Sequence, residues 1–230
     1  MVETWDRDEL QIRSADEGRS LAVRRTASRL ELRPEDSKGR RREVEVRIRI
    51  PTWVDLAISG RSLEVDVNGV AGSLSIDTGS GAVEVMGMDG ELSVDTGSGS
   101  IEVADVVGPE VDLDTGSGRV IADGIEARTL GVDTGSGSVR LERIRSSDVV
   151  VDTGSGSVDV ELLTDVESLE VDTGSGSVTA RALSDLSASL EIDTGSGGID
   201  VEFQVEARSV RRDSMRGRIG DGRGEIVIDT

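Results

Sequence analysis

The chain has 230 residues and a formal net charge of −20, and its hydrophobic residues (35%) are almost all Val, Ile, Leu and Ala, with two Trp, one Phe and no Tyr. It contains no Cys and no His, which excludes disulfides and thiolate chemistry and removes the commonest general base and transition-metal ligand. A globular core normally draws much of its buried area from aromatic rings, so this composition favours thin, stacked aliphatic layers.

The negative charge is concentrated in the middle of the sequence. Residues 1–59 carry 13 basic and 12 acidic side chains, residues 60–207 carry 7 and 30, and residues 208–230 carry 6 and 4. Such a surface repels nucleic acid and anionic lipid and favours cations or basic partners. No apolar run approaches the roughly 18 residues of a membrane span, and the opening MVETWDRDEL lacks the apolar core of a signal peptide. We therefore expect neither nucleic-acid binding nor direct membrane insertion.

Residues 1–59 are predicted to form an N-terminal β cap. The segment REVEVRIRI (42–50) alternates charged residues with Val and Ile, and LAVRRTASRLELR and VDLAIS also have the composition of strands. The open end of a stack of strands is prone to association and has to be covered. We expect these strands to form the first layers, with Trp5 and Trp53 over the open end; a separate N-terminal domain is the alternative.

Residues 60–230 are dominated by a repeat. The string DTGSG begins at seven aspartates that are 18 to 21 residues apart, a period typical of a solenoid in which each repeat forms one coil. Apolar residues alternate before each Asp, as in Leu92 and Val94, and after each motif, as in Ile101 and Val103. This alternation predicts two strands per coil, separated by a Gly-Ser-Gly turn and followed by an irregular return segment.

The predicted fold is therefore all-β: a parallel β-solenoid, expected to be a right-handed β-helix, of 18–21-residue coils with an N-terminal β-strand cap. Coils stacked about 4.8 Å apart would give seven coils a length of roughly 30 Å. The segment SLEVDVNGVAG (62–72) is predicted to be a degenerate first coil, and VRRDSMRGRI (210–219) fits the same frame and predicts a further coil before EIVIDT. The predicted division is a cap at 1–59 and repeats at 60–230, within one elongated domain.

At its DTGSGSV repeats and at TWDRDELQI (4–12), the chain resembles a bacterial family of β-strand-repeat proteins of unknown function that are often labelled as adhesins. The likeness continues through RIRIPTWVDLAIS (47–59) and covers nearly the whole chain. The resemblance implies a β-solenoid outside the cytoplasmic membrane or on the cell envelope, without an established enzymatic activity. A protein or a glycan of the envelope is the partner that it implies.

The repeated aspartates are the candidate site. If Val94 faces the core, Asp95 faces solvent, and its counterparts form a ladder of carboxylates along the rod. The seven candidate residues are Asp77, Asp95, Asp114, Asp133, Asp152, Asp172 and Asp193. Carboxylates at this spacing repel one another by about 1 kcal/mol in water, so something has to offset the repulsion.

Three roles for these aspartates are open. As corners, they would accept hydrogen bonds from the following turn amides, while Ser and Thr hydroxyls bond between coils. As metal ligands, they would offer the oxygen atoms that Ca²⁺ prefers, although the repeat differs from the nonapeptide calcium β-roll. As a salt adaptation, they would accompany a chain in which 25 of the 26 basic residues are Arg. No cofactor other than Ca²⁺ is expected.

Catalysis is not expected. Asp-Thr-Gly-Ser surrounds the catalytic carboxylate of aspartic proteases, but those enzymes bring two such loops together across a cleft, and here seven copies lie on successive coils. A polysaccharide-cleaving β-helix could use outward pairs such as Asp152 with Asp159, or Asp193 with Asp200, as acid and base. This surface is nearly all negative, whereas such enzymes set Arg, Lys or His against their substrate.

The end of the sequence is basic instead. Its arginines are Arg208, Arg211, Arg212, Arg216, Arg218 and Arg223. They are expected to pair with Asp213 and Asp221 or to contact the acidic coils of another copy, and the oligomeric state is left open. The predicted function is a non-enzymatic cell-envelope or surface solenoid that binds or scaffolds through an acidic face. A divalent-cation-binding structural module is the alternative, and a polysaccharide-acting enzyme is the third reading.

Overall fold

The computed structural model describes residues 1–5, 11–14, 21–25, 30–34, 46–51, 54–182, 186–193, 198–202, 205–210 and 214–230. This part of the chain consists of β-strands and their connections, without a helix. Nineteen of the described strands join one sheet, and the other two form a separate hairpin.

The strands before the first DTGSG motif are β1 (Val2–Trp5), β2 (Gln11–Ser14), β3 (Leu21–Arg25), β4 (Leu30–Pro34), β5 (Val46–Pro51), β6 (Leu56–Gly60) and β7 (Val65–Asn68). Those of the regular repeats are β8 (Leu74–Thr78), β9 (Val83–Asp89), β10 (Leu92–Thr96), β11 (Ile101–Thr115), β12 (Val120–Thr134), β13 (Val139–Thr153), β14 (Val158–Leu162), β15 (Ser168–Thr173) and β16 (Val178–Ala182). The last strands are β17 (Ala188–Asp193), β18 (Ile199–Glu202), β19 (Glu206–Val210), β20 (Ser214–Ile219) and β21 (Gly224–Asp229).

Parallel pairing stacks the coils on three sides. Side A is the ladder of strands that end at the Asp-Thr pair, and it runs through β6, β8, β10, the ends of β11, β12 and β13, and β15. Side B follows the Gly-Ser-Gly turn and contains β7, β9, the starts of β11, β12 and β13, then β14, β16 and β18. Side C is the middle of β11, β12 and β13. The predicted all-β parallel solenoid is confirmed, and its handedness stays a prediction.

The core is a stack of aliphatic side chains that the alternation directs inward. In β10, Leu92, Val94 and Thr96 are buried, while Asp95 is exposed. The register keeps like above like, with Leu92 opposite Leu74 and Val111 in the neighbouring coils. Each buried Val, Leu or Ile stabilises the fold by about 1.5–3 kcal/mol relative to exposure. Stability is therefore spread along the stack, and aromatic rings are not needed.

In three coils the return segment differs from the predicted irregular loop, whereas residues 163–167 are irregular as predicted. The strands β11, β12 and β13 each run for 15 residues, from one turn to the next Asp-Thr pair. Each bends between sides B and C at one residue with positive φ, which is Asp105 (52°), Gly124 (68°) or Arg143 (54°). One left-handed residue turns the chain without ending the pairing, which resumes with Val106 opposite Ile125.

The N-terminal strands share the sheet of the coils. β1 pairs in parallel with β5 and β7, β2 pairs antiparallel with β5, and β3 and β4 form the separate hairpin. β6 lies in the frame of the repeats, with Ser59 opposite Asp77, and the degenerate coil predicted at 62–72 supplies β7 on side B. The division at residue 59 stays a prediction. The side chain of Trp5 and all of Trp53 lie outside the described residues.

The last strands depart from the repeat. The sequence predicts another parallel coil at 210–219, but β20 pairs antiparallel with both β17 and β19, so this prediction is wrong. The chain then turns at Gly220–Gly222, and β21 pairs in parallel with the other edge of β17. Its second edge pairs with β15, so β21 lies between two strands of successive coils. An alternating pattern reads the same in both directions, which is why it cannot distinguish a parallel strand from an antiparallel one.

Candidate functional site

The threonines of the first six motifs, from Thr78 to Thr173, are buried at the corner between sides A and B. The hydroxyl of Thr134 accepts a hydrogen bond from the N–H of Gly137, at 3.0 Å, and donates one to the carbonyl of Gly118 in the preceding coil, at 3.1 Å. The same two bonds are made by Thr115, Thr153 and Thr173. Each hydroxyl therefore closes its own turn and joins it to the coil before.

The second glycine of the first six motifs is required by the close approach of successive turns. A Cβ on Gly137 would lie 1.6 Å from the carbonyl oxygen of Gly118, and a Cβ on Gly118 would lie 1.7 Å from that of Gly99. Real Cβ atoms do not approach other atoms this closely, and the opposing atoms belong to the backbone, so they cannot swing aside. Glycine at this position is thus imposed by the stacking distance between coils.

The aspartate ladder is the column of exposed carboxylates on side A, each immediately before one of these threonines. In order along the stack, it contains Asp77, Asp95, Asp114, Asp133, Asp152, Asp172, Asp229 and Asp193. Seven of the eight are the predicted residues. Sequence reasoning missed Asp229, which separates Asp172 from Asp193 because β21 is inserted there. Its signal was the apolar-x-apolar-Asp-Thr frame of EIVIDT, which matches the repeats.

The ladder carboxylates from Asp77 to Asp172 make no hydrogen bond and no ion pair with any described residue. The turn amide that an Asx-type turn would give to the aspartate is bound by the threonine instead, as in the 3.1 Å bond from the N–H of Gly99 to Oγ1 of Thr96. The alternation of the strand explains why the threonine and not the aspartate accepts this bond, because Thr96 points inward over the turn and Asp95 points outward. These six carboxylates are thus left without a partner in the part of the chain that the structure describes.

Burial and mutual repulsion act on the ladder together. The pKa of Asp114 is raised, first by partial desolvation and then by the charges of Asp133 and Asp95. The pKa of Asp172 is raised for the same two kinds of reason. Asp112, which neighbours the ladder on side A, also has a raised pKa, first from desolvation and then from nearby carboxylates. At these three carboxyls, side A therefore disfavours the negative charge.

On side B and at its corner with side C, arginines neutralise part of the negative charge of the acidic side chains. The guanidinium of Arg143 donates from Nε to the carboxylate of Asp123 at 2.5 Å, which lowers the pKa of that carboxyl. Arg181 lies between Asp159, at 2.5 Å, and Glu202, at 3.1 Å. Arginines thus pair with Asp123, Asp159 and Glu202, whereas the ladder carboxylates from Asp77 to Asp172 make no such bond with a described residue.

The carboxylate pairs considered for catalysis are divided between two sides of the coil. Asp152 ends a side A segment and Asp159 lies on side B, where Arg181 holds it. Asp193 and Asp200 are divided in the same way between β17 and β18. Across the described ranges, no group of three or more acidic side chains is placed to hold a metal ion, and Ca²⁺ binding stays a prediction. In the same ranges, no helix is long and apolar enough to cross a membrane.

The C-terminal arginines pair with acids of earlier strands and loops. The pairs are Arg216 with Glu191, Arg218 with Glu206 at 3.2 Å, and Arg223 with Asp165 at 3.0 Å. These partners differ from the predicted Asp221, while Asp213 lies outside the described residues. Exposed pairs of this kind contribute little to stability, so they position the last strands more than they stabilise them.

Comparison with known proteins supports the fold and leaves the activity open. The family described as Toastrack DUF4097, a bacterial domain of unknown function, matches residues 1–230. No curated protein and no solved structure matches the chain. The resemblance inferred from the DTGSGSV repeats is thereby confirmed at the level of the family, which carries no assigned activity, ligand or partner. This parallel solenoid of repeated Asp-Thr-Gly-Ser-Gly coils belongs to the Toastrack DUF4097 family.

Proposed function

We propose that the protein is a non-enzymatic binding or scaffold protein of the bacterial cell envelope, and that it binds a cationic protein or glycan through the aspartate ladder. The observation that carries this proposal is the contrast between the two faces. The ladder carboxylates from Asp77 to Asp172 lack hydrogen bonds and ion pairs with described residues, whereas Asp123 and Asp159 on side B are held by arginines.

The spacing of the ladder decides which partner fits. Carboxylates about 4.8 Å apart form a straight column, which suits an extended partner with several positive charges rather than a single compact ion. Bringing positive charges to this column relieves repulsion at Asp114, whose pKa is raised first by partial desolvation and then by the charges of Asp133 and Asp95. Association of this kind is fast at low ionic strength and weakens as salt screens the charges.

The binding experiment compares two variants that lose the same charge from different faces. The ladder variant carries Asp95→Asn, Asp114→Asn and Asp133→Asn, and the control variant carries Asp66→Asn, Glu84→Gln and Glu102→Gln from the matching column of side B. A fluorescent oligolysine peptide and a labelled chitosan oligomer serve as probes, with anisotropy as the readout. We expect the ladder variant to bind at least one probe about tenfold more weakly, which corresponds to about 1.4 kcal/mol.

The control decides whether the ladder itself matters. If the side B variant loses as much affinity as the ladder variant, only the net charge affects binding and the ladder is not the binding face.

The proposed location has its own test, which is fractionation of bacteria that produce the full protein. Recovery with the envelope fraction is expected, and recovery in the soluble cytoplasmic fraction alone would contradict the location.

A further inference from the structure

The inserted strand β21 occupies a gap in side A that side B does not have. On side A, Val227 of β21 lies between Glu170 of β15 and Glu191 of β17. On side B, the same two coils pair directly, with Thr179 opposite Asp200. The two coils are therefore one strand spacing apart on side B, about 4.8 Å, and two spacings apart on side A. We call the gap between β15 and β17 the strand slot.

The walls of the strand slot are complementary to each other as well as to β21. β15 carries Leu169 and Val171 inward, and β17 carries Leu190 and Ile192 inward, in the frame that pairs directly in every earlier coil. The slot therefore has two closed arrangements that satisfy the backbone. One contains an inserted strand, and the other has β15 paired with β17.

The strand that fits the slot is defined by two features of β21. Ile226 and Ile228 are fully buried between the coils, so two β-branched apolar residues must alternate with outward ones. A Cβ on Gly224 would lie 2.1 Å from the carbonyl oxygen of Val166, so the strand must enter with glycine. The slot thus accepts the pattern Gly-x-apolar-x-apolar-Asp, in parallel with both walls.

The connection to β21 is built like a hinge. β20 and β21 lie on opposite edges of β17, and the chain passes from one edge to the other through Gly220 (φ 54°) and Gly222 (φ 70°). The turn is closed by a bond from the N–H of Gly222 to the carbonyl of Ile219, at 3.1 Å. Straightening this turn would release β21 while β20 keeps its pairing with β17.

The geometry points to strand exchange between two copies of this chain, in which β21 of one copy fills the strand slot of another. A second copy is the fitting occupant because its own β21 carries the required glycine, the two apolar residues and the same glycine hinge. Exchange of an identical element keeps every native contact and changes only which chain supplies the strand. A slot that has lost its own β21 can therefore bind a β21 that has left the slot of another copy.

The test uses the absence of natural cysteines in the full chain. A Glu170→Cys protein and a size-tagged Val227→Cys protein are mixed, held about 10 °C below the melting temperature to allow release, cooled and oxidised. Positions 170 and 227 are opposite each other when β15 pairs with β21, so this pairing gives a mixed disulfide only if β21 of one chain lies beside β15 of the other. We expect at least fivefold more mixed dimer on a non-reducing gel than in the control mixture of Glu170→Cys with Val150→Cys.

The control is matched because Val150 is also a register neighbour of Glu170, on its other edge, and is 44% exposed. Its strand belongs to a continuous coil and has no slot to enter. Equal yields from the two mixtures would overturn the proposal, because they would reflect random collision. A second variant with both Glu170→Cys and Val227→Cys, oxidised before mixing, holds β21 in its own chain. Light scattering should then detect no exchanged dimer, and dimer formation by this locked protein would also refute strand exchange.

Discussion

Replacing Thr134 with Val tests whether the buried threonines hold the coils together. Valine keeps the shape of the side chain but removes the hydroxyl that accepts from the N–H of Gly137 and donates to the carbonyl of Gly118. A buried polar group that loses its partner costs about 1–3 kcal/mol. Since two groups lose a partner, we expect the free energy of unfolding to fall by about 2–4 kcal/mol. For a chain of this length, that corresponds to a melting temperature roughly 5–15 °C lower.

The assay combines thermal melting with hydrogen exchange at one amide. The N–H of Gly137 should lose its protection in Thr134→Val, because no other acceptor replaces the hydroxyl. Thr134→Ser keeps the hydroxyl and loses one methyl, so it should retain that protection and destabilise by only about 1 kcal/mol. Thr179→Val removes a hydroxyl from a half-buried position on side B and should change stability by less than about 0.5 kcal/mol.

The reasoning is refuted if Thr134→Val melts like Thr179→Val, or if Thr134→Ser is as destabilised as Thr134→Val. The first result would mean that the hydroxyl bonds contribute nothing beyond what water supplies in the unfolded chain. The second would assign the effect to packing of the methyl group. The stability of a solenoid is approximately the sum of the contributions of its coils and of the contacts between neighbouring coils. The hydrogen-exchange measurement at Gly137 therefore reports the local effect of the substitution better than a single global melting temperature does.

Three further predictions concern the turn and the ladder. Gly137→Ala places a Cβ against a backbone oxygen and should prevent cooperative melting of the protein. In the control variant Gly131→Ala, the new Cβ meets only the movable side chain of Asp112, so this variant should melt within a few degrees of the unchanged protein. Similar melting of the two variants would contradict the close-packing argument. Because the pKa of Asp114 is raised above 3.8 by folding, the folded chain binds more protons than the unfolded chain in that window, and stability falls as the pH rises through it. Asp114→Asn should therefore raise the free energy of unfolding by up to about 1 kcal/mol near neutral pH in low salt. In acid, or in about 1 M NaCl, the gain should be much smaller. An equal gain under all three conditions would exclude repulsion as the cause. Finally, NaCl at matched ionic strength should raise the melting temperature of chelator-treated protein as much as Ca²⁺ does, and a saturable rise that only Ca²⁺ produces would instead make the ladder aspartates metal ligands.

The regular coils could be predicted from the sequence because their information is local. Period-2 alternation fixed which side chains face the core, and the constant offset from each Asp-Thr pair fixed the register. The departures required tertiary information. The bends at Asp105 and Arg143 use positive φ in non-glycine residues, which no turn signal announces. The direction of β20 and the insertion of β21 depend on which edge is free, and the alternating pattern does not encode that.

The candidate site was predicted in position and only partly in role. Alternation correctly placed Asp95 outside and Thr96 inside, but a carboxylate and a hydroxyl can both accept a turn amide. The choice between them follows from geometry, because the N–H of Gly99 meets the inward side chain and Oγ1 of Thr96 is the atom that accepts it. The sequence contains both candidates in one dipeptide, and only the direction of the amide distinguishes them.

The ladder position does not need an aspartate for the coils to stack. Ser59 occupies the position opposite Asp77, and its strand pairs there in the ordinary parallel register. The threonines close the turns and the glycines allow the close approach, so the structural requirements of the corner are met by the neighbours of each aspartate. At Asp114 the fold disfavours the negative charge, because partial desolvation, and then the charges of Asp133 and Asp95, raise the pKa of this carboxyl. Since the corner does not need the carboxylates, the proposed role for them is binding, and the charge-matched comparison of side A with side B is the experiment that tests this proposal.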